Sequence, residues 1–197
     1  MFDGLFEWLG WNSFPEATVV ADGYTGATPL ALAAAGGWEA VTEVYSSSQM
    51  FWGAIPGSMG ETCKPLILFG ALMLIITKIA SWRIMAGMVF GAALMALLLN
   101  LWGANPFMDV PWYYQFYMGS FWFAMAFMAT DPVTASSTKQ GKWIYGFLIG
   151  FVGMIIRVMN PAYPEGWMLS ILLINTFSAL IDNQFVNQNI KKRLARA

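Results

Sequence analysis

The run Asp22-Gly23-Tyr24-Thr25-Gly26-Ala27-Thr28-Pro29 sets a threonine hydroxyl on a tight glycine turn, directly before a stretch that reads as helix. Threonine is a favoured N-cap, and proline is pre-organised for the first helical position. Thr28 and Pro29 therefore predict a helix start, with Leu30 to Ala35 as helix and Gly36-Gly37 as its stop. Two roles are open to the hydroxyl. It could simply cap the helix, with Gly26 permitting the turn. Alternatively, the unpaired amides and partial positive charge of a helix N-terminus make a phosphate site, and a phosphoester on Thr28 would place its negative charge there. No Lys or Arg precedes Lys64, so backbone is the local source of compensating charge.

Few other side chains offer chemistry. The chain has no His and one Cys, Cys63, which excludes haem, iron–sulfur and Cys/His zinc sites built within it. Cys63 reads as a lone structural thiol, with a cluster shared with another protein of a complex as the lesser reading. Gly57 and Gly60 could let backbone approach a ligand or could be ordinary turn glycines. Trp38, Phe51 and Trp52 could stack on a planar ring or anchor at an interface. Ionisable residues inside membrane segments are costly and are functional candidates by default. Asp182 could coordinate Na+, pair with Lys191 or cap a helix. Asp131-Pro132 reads as a helix stop with the carboxylate in a turn, and Arg157 as a residue that snorkels or pairs with Glu165.

The elements that must position these residues are membrane-spanning. Of 197 residues, 58% are hydrophobic and 11% charged, against about 25% charged in soluble domains. The mean hydropathy is +0.56. Five apolar segments suit spans: Pro65–Trp82, Ile84–Gly103, Trp112–Thr130, Trp143–Met159 and Trp167–Ile181, with tryptophans at their ends. The expectation is an all-α membrane protein with five transmembrane helices. It divides into residues 1–63, a five-helix domain over 64–182, and a basic tail over 183–197. Phe2, Leu5, Phe6 and Leu9 recur at helical spacing, as in a short amphipathic helix at the bilayer surface. No cleavable signal peptide is evident.

Charge sets an orientation. Residues 1–63 hold seven acids and no Lys or Arg. Lys78 with Arg83, Lys139 with Lys142, and Lys191, Lys192, Arg193 and Arg196 fall on alternate loops. By the positive-inside rule the C-terminus is cytoplasmic and residues 1–63 face outward. An odd number of spans with ends on opposite sides is typical of half an inverted-repeat fold.

Asp-x-x-Thr-Gly-Ala-Thr, Asp22 to Thr28, resembles the motif in which FMN is joined through its phosphate to the last threonine. That motif belongs to the family of the B subunit of the Na+-translocating NADH:quinone reductase and the D subunit of the Rnf electron-transport complex. Further blocks resemble the same family: Gly57-Ser58-Met59-Gly60-Glu61-Thr62, Ala129 to Ala135, and Arg157 to Gly166. The ending Asn189 to Arg196 is closer to the reductase protein than to the Rnf one. The resemblance runs from about Asp22 to the end of the chain.

The resemblance implies covalent FMN on Thr28, with Asp22, Thr25, Gly26, Ala27, Gly57 and Gly60 around it. It implies electrons passing through that FMN toward quinone, coupled to Na+ export across a bacterial inner membrane. The implied partners are the other subunits of the complex, quinone, Na+, the lipid bilayer and a flavin transferase, with no nucleic acid. Family members are about twice as long, so this chain corresponds to their C-terminal half. Much of the quinone and riboflavin environment would lie in the other half, and the chain alone should not be a competent reductase. Thr25 stands where the family often has Ser. The competing expectations are an Rnf-type D subunit, using the same tether for NADH:ferredoxin electron transport, and a non-redox inverted-repeat transporter half.

Overall fold

The computed structural model describes residues 19–20, 23–24, 27–58, 60–160 and 165–195. The amphipathic helix expected over Phe2 to Leu9 lies outside the described residues. The chain enters through a two-residue antiparallel ladder, β1 (Val19–Val20) against β2 (Gly23–Tyr24), with Val19 opposite Tyr24. Everything after it that is regular is helical.

Helix α1 (Pro29–Val44) begins at the expected Thr28 cap but does not end at Gly36-Gly37. Gly37, at φ +72°, kinks it, and a second helical stretch runs on to Val44. The kink lets the backbone pass close to Pro106, whose carbonyl oxygen would stand 2.9 Å from a Cβ at this position. Helix α2 (Ser47–Trp52) follows, with the Gln49 Oε1 accepting from the Ser46 amide at 2.9 Å and a left-handed Gly53 ending it.

The five expected spans fare differently. Helices α4 (Trp82–Trp102), α6 (Gly141–Met159) and α7 (Trp167–Leu194) are long and apolar enough to cross a bilayer, which makes this a helical membrane protein. Helix α3 (Lys64–Ile76) has 13 residues, about 20 Å of helix against a hydrocarbon core of about 30 Å. It stops where the Thr77 hydroxyl turns back to the Met73 carbonyl (2.9 Å) and Lys78 adopts φ +60°.

The expected span Trp112–Thr130 is not a continuous helix. A 3₁₀ turn (Tyr114–Phe116) gives way at Gly119, φ +65°, to the single turn α5 (Phe121–Phe123) and a π-helical stretch (Ala124–Met128). Irregular backbone within a membrane protein must be screened by protein. Here Gln115, Phe116, Met118 and Phe121 are all buried. Helix α7 in turn passes without interruption through residue 182, carrying the basic tail as helix to Leu194.

The core is the α4–α6 interface. Gly87 and Gly91 of α4 face Gly146 and Gly150 of α6, two small-xxx-small pairs that bring the backbones together. A Cβ on Gly91 would collide with the Phe147 carbonyl oxygen, and one on Gly150 with that of Met88. Beside this seam Gly153 receives the Trp167 ring, the Ser170 hydroxyl donates to the Ile149 carbonyl at 2.7 Å, and the Tyr145 hydroxyl donates to Asn175 Oδ1. These contacts seat α7 on α6. Leu66, Phe69, Phe90, Leu101 and Leu172 stay exposed, as lipid-facing positions should.

This packing makes a direct prediction. Gly150→Val cannot be absorbed by a rotamer change, because the clash is with backbone, and should lower stability by about 3 kcal/mol or more. Leu101→Ala, at a position 77% exposed, should stay within about 0.5 kcal/mol. Thermal unfolding of the two purified variants in detergent checks both; equal melting temperatures would refute the glycine seam.

Candidate functional site

Thr28 is extended (φ −66°, ψ 151°), and its Oγ1 accepts from the Ala31 amide at 3.2 Å while its carbonyl accepts from Leu32 at 3.0 Å. Pro29 occupies the first turn and is buried. The kink at Gly37 returns the chain so that the buried Tyr45 donates its hydroxyl to the Ala27 carbonyl at 2.9 Å. Thr28 is thus held from both sides, with Ala27 exposed next to it. Asp22, Thr25 and Gly26 lie outside the described residues.

Thr28 opens onto a cleft that Pro29, Leu30, Ile55 and Pro56 line with apolar surface and that Gly57, Glu61, Thr62, Lys64, Gly119 and Glu165 complete. Its open volume, about 20 Å³, suits a water or one oxygen of an oxyanion rather than a ring system. Gly57 belongs to this cleft; a Cβ there would press on Thr62 at 2.9 Å. Gly60 is not among the cleft's walls. It has ample room, its nearest contact being Phe123 at 3.7 Å, and is required to be glycine by φ +89° alone.

The charges around the cleft are set by the fold as much as by spacing. Lys64 begins α3 and is 1% exposed. Glu61 accepts from the Ser58 amide at 3.0 Å, and burial pushes its carboxyl above the ordinary range. Glu165 Oε2 accepts from the Ser120 amide (3.2 Å) and hydroxyl (2.5 Å).

Arg157 does not snorkel. It is fully buried, with Nη1 donating to the Gln115 carbonyl at 2.7 Å and the guanidinium 4.9 Å over the Trp167 ring. Its Nε and Nη2 have no hydrogen-bond partner among the described residues. Nη2 and Glu165 Oε1 would each stand 2.9 Å from a Cβ on Gly119, so both converge on that glycine. The approach of Arg157 to Glu165 is one of the two readings its sequence position offers; that they meet at Gly119, from a separate segment, has no signal in the spacing.

The aromatic candidates divide. Trp38 packs on Tyr114 with centroids 4.0 Å apart, so its face is already used. Phe51 lines a second, roomier cleft with Ser47, Ser48, Tyr113, Tyr114 and Tyr117, of about 340 Å³. That volume accommodates a planar ring. Trp52 sits edge-on to Phe51 and is half exposed.

At the other end of α6, Asp131 closes its own turn. It accepts from the Val133 and Thr134 amides and from the Thr134 hydroxyl, whose 2.8 Å bond holds the carboxyl below its usual range. Asp182 gathers the following loop. Its oxygens accept from the Ser136 hydroxyl (2.6 Å), the Ser137 amide and hydroxyl (2.7 and 3.1 Å) and the Thr138 amide and hydroxyl (3.1 and 2.6 Å). A cation at Asp182 would compete with these donors. Among the described residues no three His, Cys, Asp or Glu side chains are grouped to hold a metal ion.

Comparison with known proteins bears on the whole of this arrangement. The model of the NQR2, RnfD, RnfE family matches residues 7–191. The B subunit of the Na(+)-translocating NADH-quinone reductase of Chromohalobacter salexigens is 54% identical over 180 residues, covering 90% of this chain and 44% of that protein. The same proteins of Ectopseudomonas mendocina and Klebsiella pneumoniae are 53% and 48% identical, each covering 89% of this chain and 44% of the relative. The chain spans less than half the length of these relatives. With its motif blocks, its helical membrane architecture and a match over nearly its full length, this chain belongs to the NQR2, RnfD, RnfE family.

Proposed function

We propose that this chain is the FMN-bearing part of the membrane-embedded B subunit of a Na+-translocating NADH:quinone reductase, with the flavin joined through its phosphate to Thr28. The carrying observation is the position of Thr28: an extended N-cap hydroxyl next to the Ala27 carbonyl that Tyr45 holds, at the mouth of a cleft lined by Lys64, Glu61 and Glu165, in a chain about half identical to the reductase relatives. FMN, when bound, supplies reversible electron transfer. The chain's own residues do the rest. Thr28 fixes one end of the cofactor, Tyr45 holds the approach to it through Ala27, and the Phe51–Tyr113–Tyr117 cleft offers a ring-sized apolar surface.

In this reading the segment before Lys64 lies on the outer side of a bacterial inner membrane and the basic end of α7 on the cytoplasmic side. The chain acts with the other subunits of the complex, passing electrons toward quinone as Na+ is exported. A flavin transferase installs the FMN, and riboflavin belongs to the portion of the full-length protein outside this chain. Asp22, Thr25 and Gly26 serve as the recognition turn around Thr28. The C-terminal five-segment domain forms half of an inverted repeat.

The test uses the whole complex from cells that possess the transferase. A denaturing gel scanned under ultraviolet light should show a fluorescent band, and peptide mass mapping should place FMN on Thr28. Thr28→Ala should darken the band while costing only about 1 kcal/mol of helix capping, so that the variant still accumulates. A dark wild-type band would refute the reading.

Asp182 is assigned here a place in the Na+ path. Asp182→Ala should weaken the Na+ dependence of turnover. It should also lower the melting temperature, since five donors in the 136–138 loop lose their acceptor. A lowered melting temperature with an unchanged Na+ response would leave Asp182 as a loop anchor only.

A further inference from the structure

Helix α7 outruns the helix it packs on. A Cβ on Gly141, the first residue of α6, would meet Asp182 Oδ1 at 2.7 Å, and one on Gly166, which caps the start of α7, would meet the Arg157 amide at 3.1 Å. The two helices are therefore antiparallel and level with one another from residue 166 to residue 182. Beyond Asp182, α7 continues without a break to Leu194, about 18 Å further at 1.5 Å per residue. The headgroup layer adds only about 5–8 Å to each side of the hydrocarbon core, so the last turns of α7 stand clear of the bilayer.

Those turns are not the polar helix that water alone would favour. Residues 186–195 are all exposed, and Val186, Ile190 and Leu194, four apart and so on one face, are 45%, 49% and 72% exposed. Lys191, Lys192 and Arg193 lie beside this stripe in the last turn. The basic turn by itself needs no partner, since it suits the helix C-terminus and a cytoplasmic end. The apolar stripe does need one, because single exposed apolar residues are ordinary but an aligned row with a charged margin marks a docking face. This chain offers it no complement. Residues 183–197 contain no acid, and the acids at this end of α6, Asp131 and Asp182, are each bonded into their own loops. A second copy would set its own Lys191, Lys192 and Arg193 against these, and like charges repel.

We propose that the end of α7 is a docking helix, with Val186, Ile190 and Leu194 as anchors in an apolar, acid-rimmed groove on the water-soluble part of a partner subunit. The assignment rests on the reading that this chain works in a multi-subunit complex, and it is independent of flavin on Thr28. The test uses the whole complex with a photo-cross-linking amino acid placed at Ile190. Irradiation should join this chain to another subunit, at a segment that peptide mass shows to be rich in Asp and Glu. An adduct with lipid, with a second copy or with another part of the same protein, or no adduct, would overturn the proposal. Ile190→Ser combined with Leu194→Ser should cut retention of that subunit during purification by about tenfold. Lys191→Glu combined with Lys192→Glu should cut it more at low salt than at high. Wild-type retention in either double variant overturns the proposal, and if a variant fails to accumulate the cross-link decides alone. In-gel flavin fluorescence should be unchanged throughout; a dark wild-type band with the cross-link intact would sink the Thr28 reading and leave this one standing.

Discussion

The buried guanidinium of Arg157 is the contact on which the architecture of the candidate site depends. A segment that could have been a fourth long helix is broken at Gly119 and lies within the protein, where its backbone must find partners. Arg157 supplies one at the Gln115 carbonyl, lies over Trp167 at the start of α7, and meets Glu165 across Gly119. One side chain on α6 therefore ties together the broken segment, the approach to α7 and one wall of the Thr28 cleft. Removing it would leave both a buried carbonyl and a nearby carboxylate without their cation.

That contact is placed by the close packing of α6 against α4. The glycine seam lets α4 and α6 approach until backbone meets backbone, which leaves no side-chain layer to shear. Rigidity then propagates along the helix. Its N-terminal end at Gly141 touches Ser136, Thr138 and Asp182, and its C-terminal end carries Arg157. The helix between Gly141 and Arg157 is about 24 Å long. The Asp182 loop and the Thr28 cleft are thus held at opposite ends of one stiff rod whose length matches much of a bilayer's hydrocarbon core. A polar loop fixed at each end of a span suits a protein whose two membrane faces do different work.

The helix start at Thr28 is legible in the sequence because capping is local: a hydroxyl, a proline and the following apolar run suffice. The spans over α4, α6 and the first part of α7 are legible for the same reason, as continuous apolar composition with aromatic ends. The segment around Trp112–Thr130 misleads, since its hydropathy is that of a helix while Gly119 and the π-helical stretch respond to tertiary packing. Gly37 misleads in the opposite sense. Paired with Gly36 it reads as a terminator, yet the chain uses it to kink past Pro106 and continue. Arg157 reads from sequence as snorkelling or pairing with Glu165; the fold excludes the first, since the residue is fully buried against Gln115 and Trp167, and brings it toward Glu165 at Gly119.

In the proposed reading, the clefts at Thr28 and at Phe51 would meet different demands of a covalently tethered nucleotide. A phosphodiester needs a small polar site with positive charge and little freedom, whereas a planar ring needs apolar walls and volume. The cleft at Thr28 is the small one, about 20 Å³, with Lys64 buried in its wall between Glu61 and Glu165; the aromatic cleft at Phe51 is the roomy one, at about 340 Å³. A covalent link at the small site would remove the need for high affinity at the large one, because the ring's local concentration would be set by the tether. An open aromatic surface such as that at Phe51 would then need only to tune the cofactor, not to retain it.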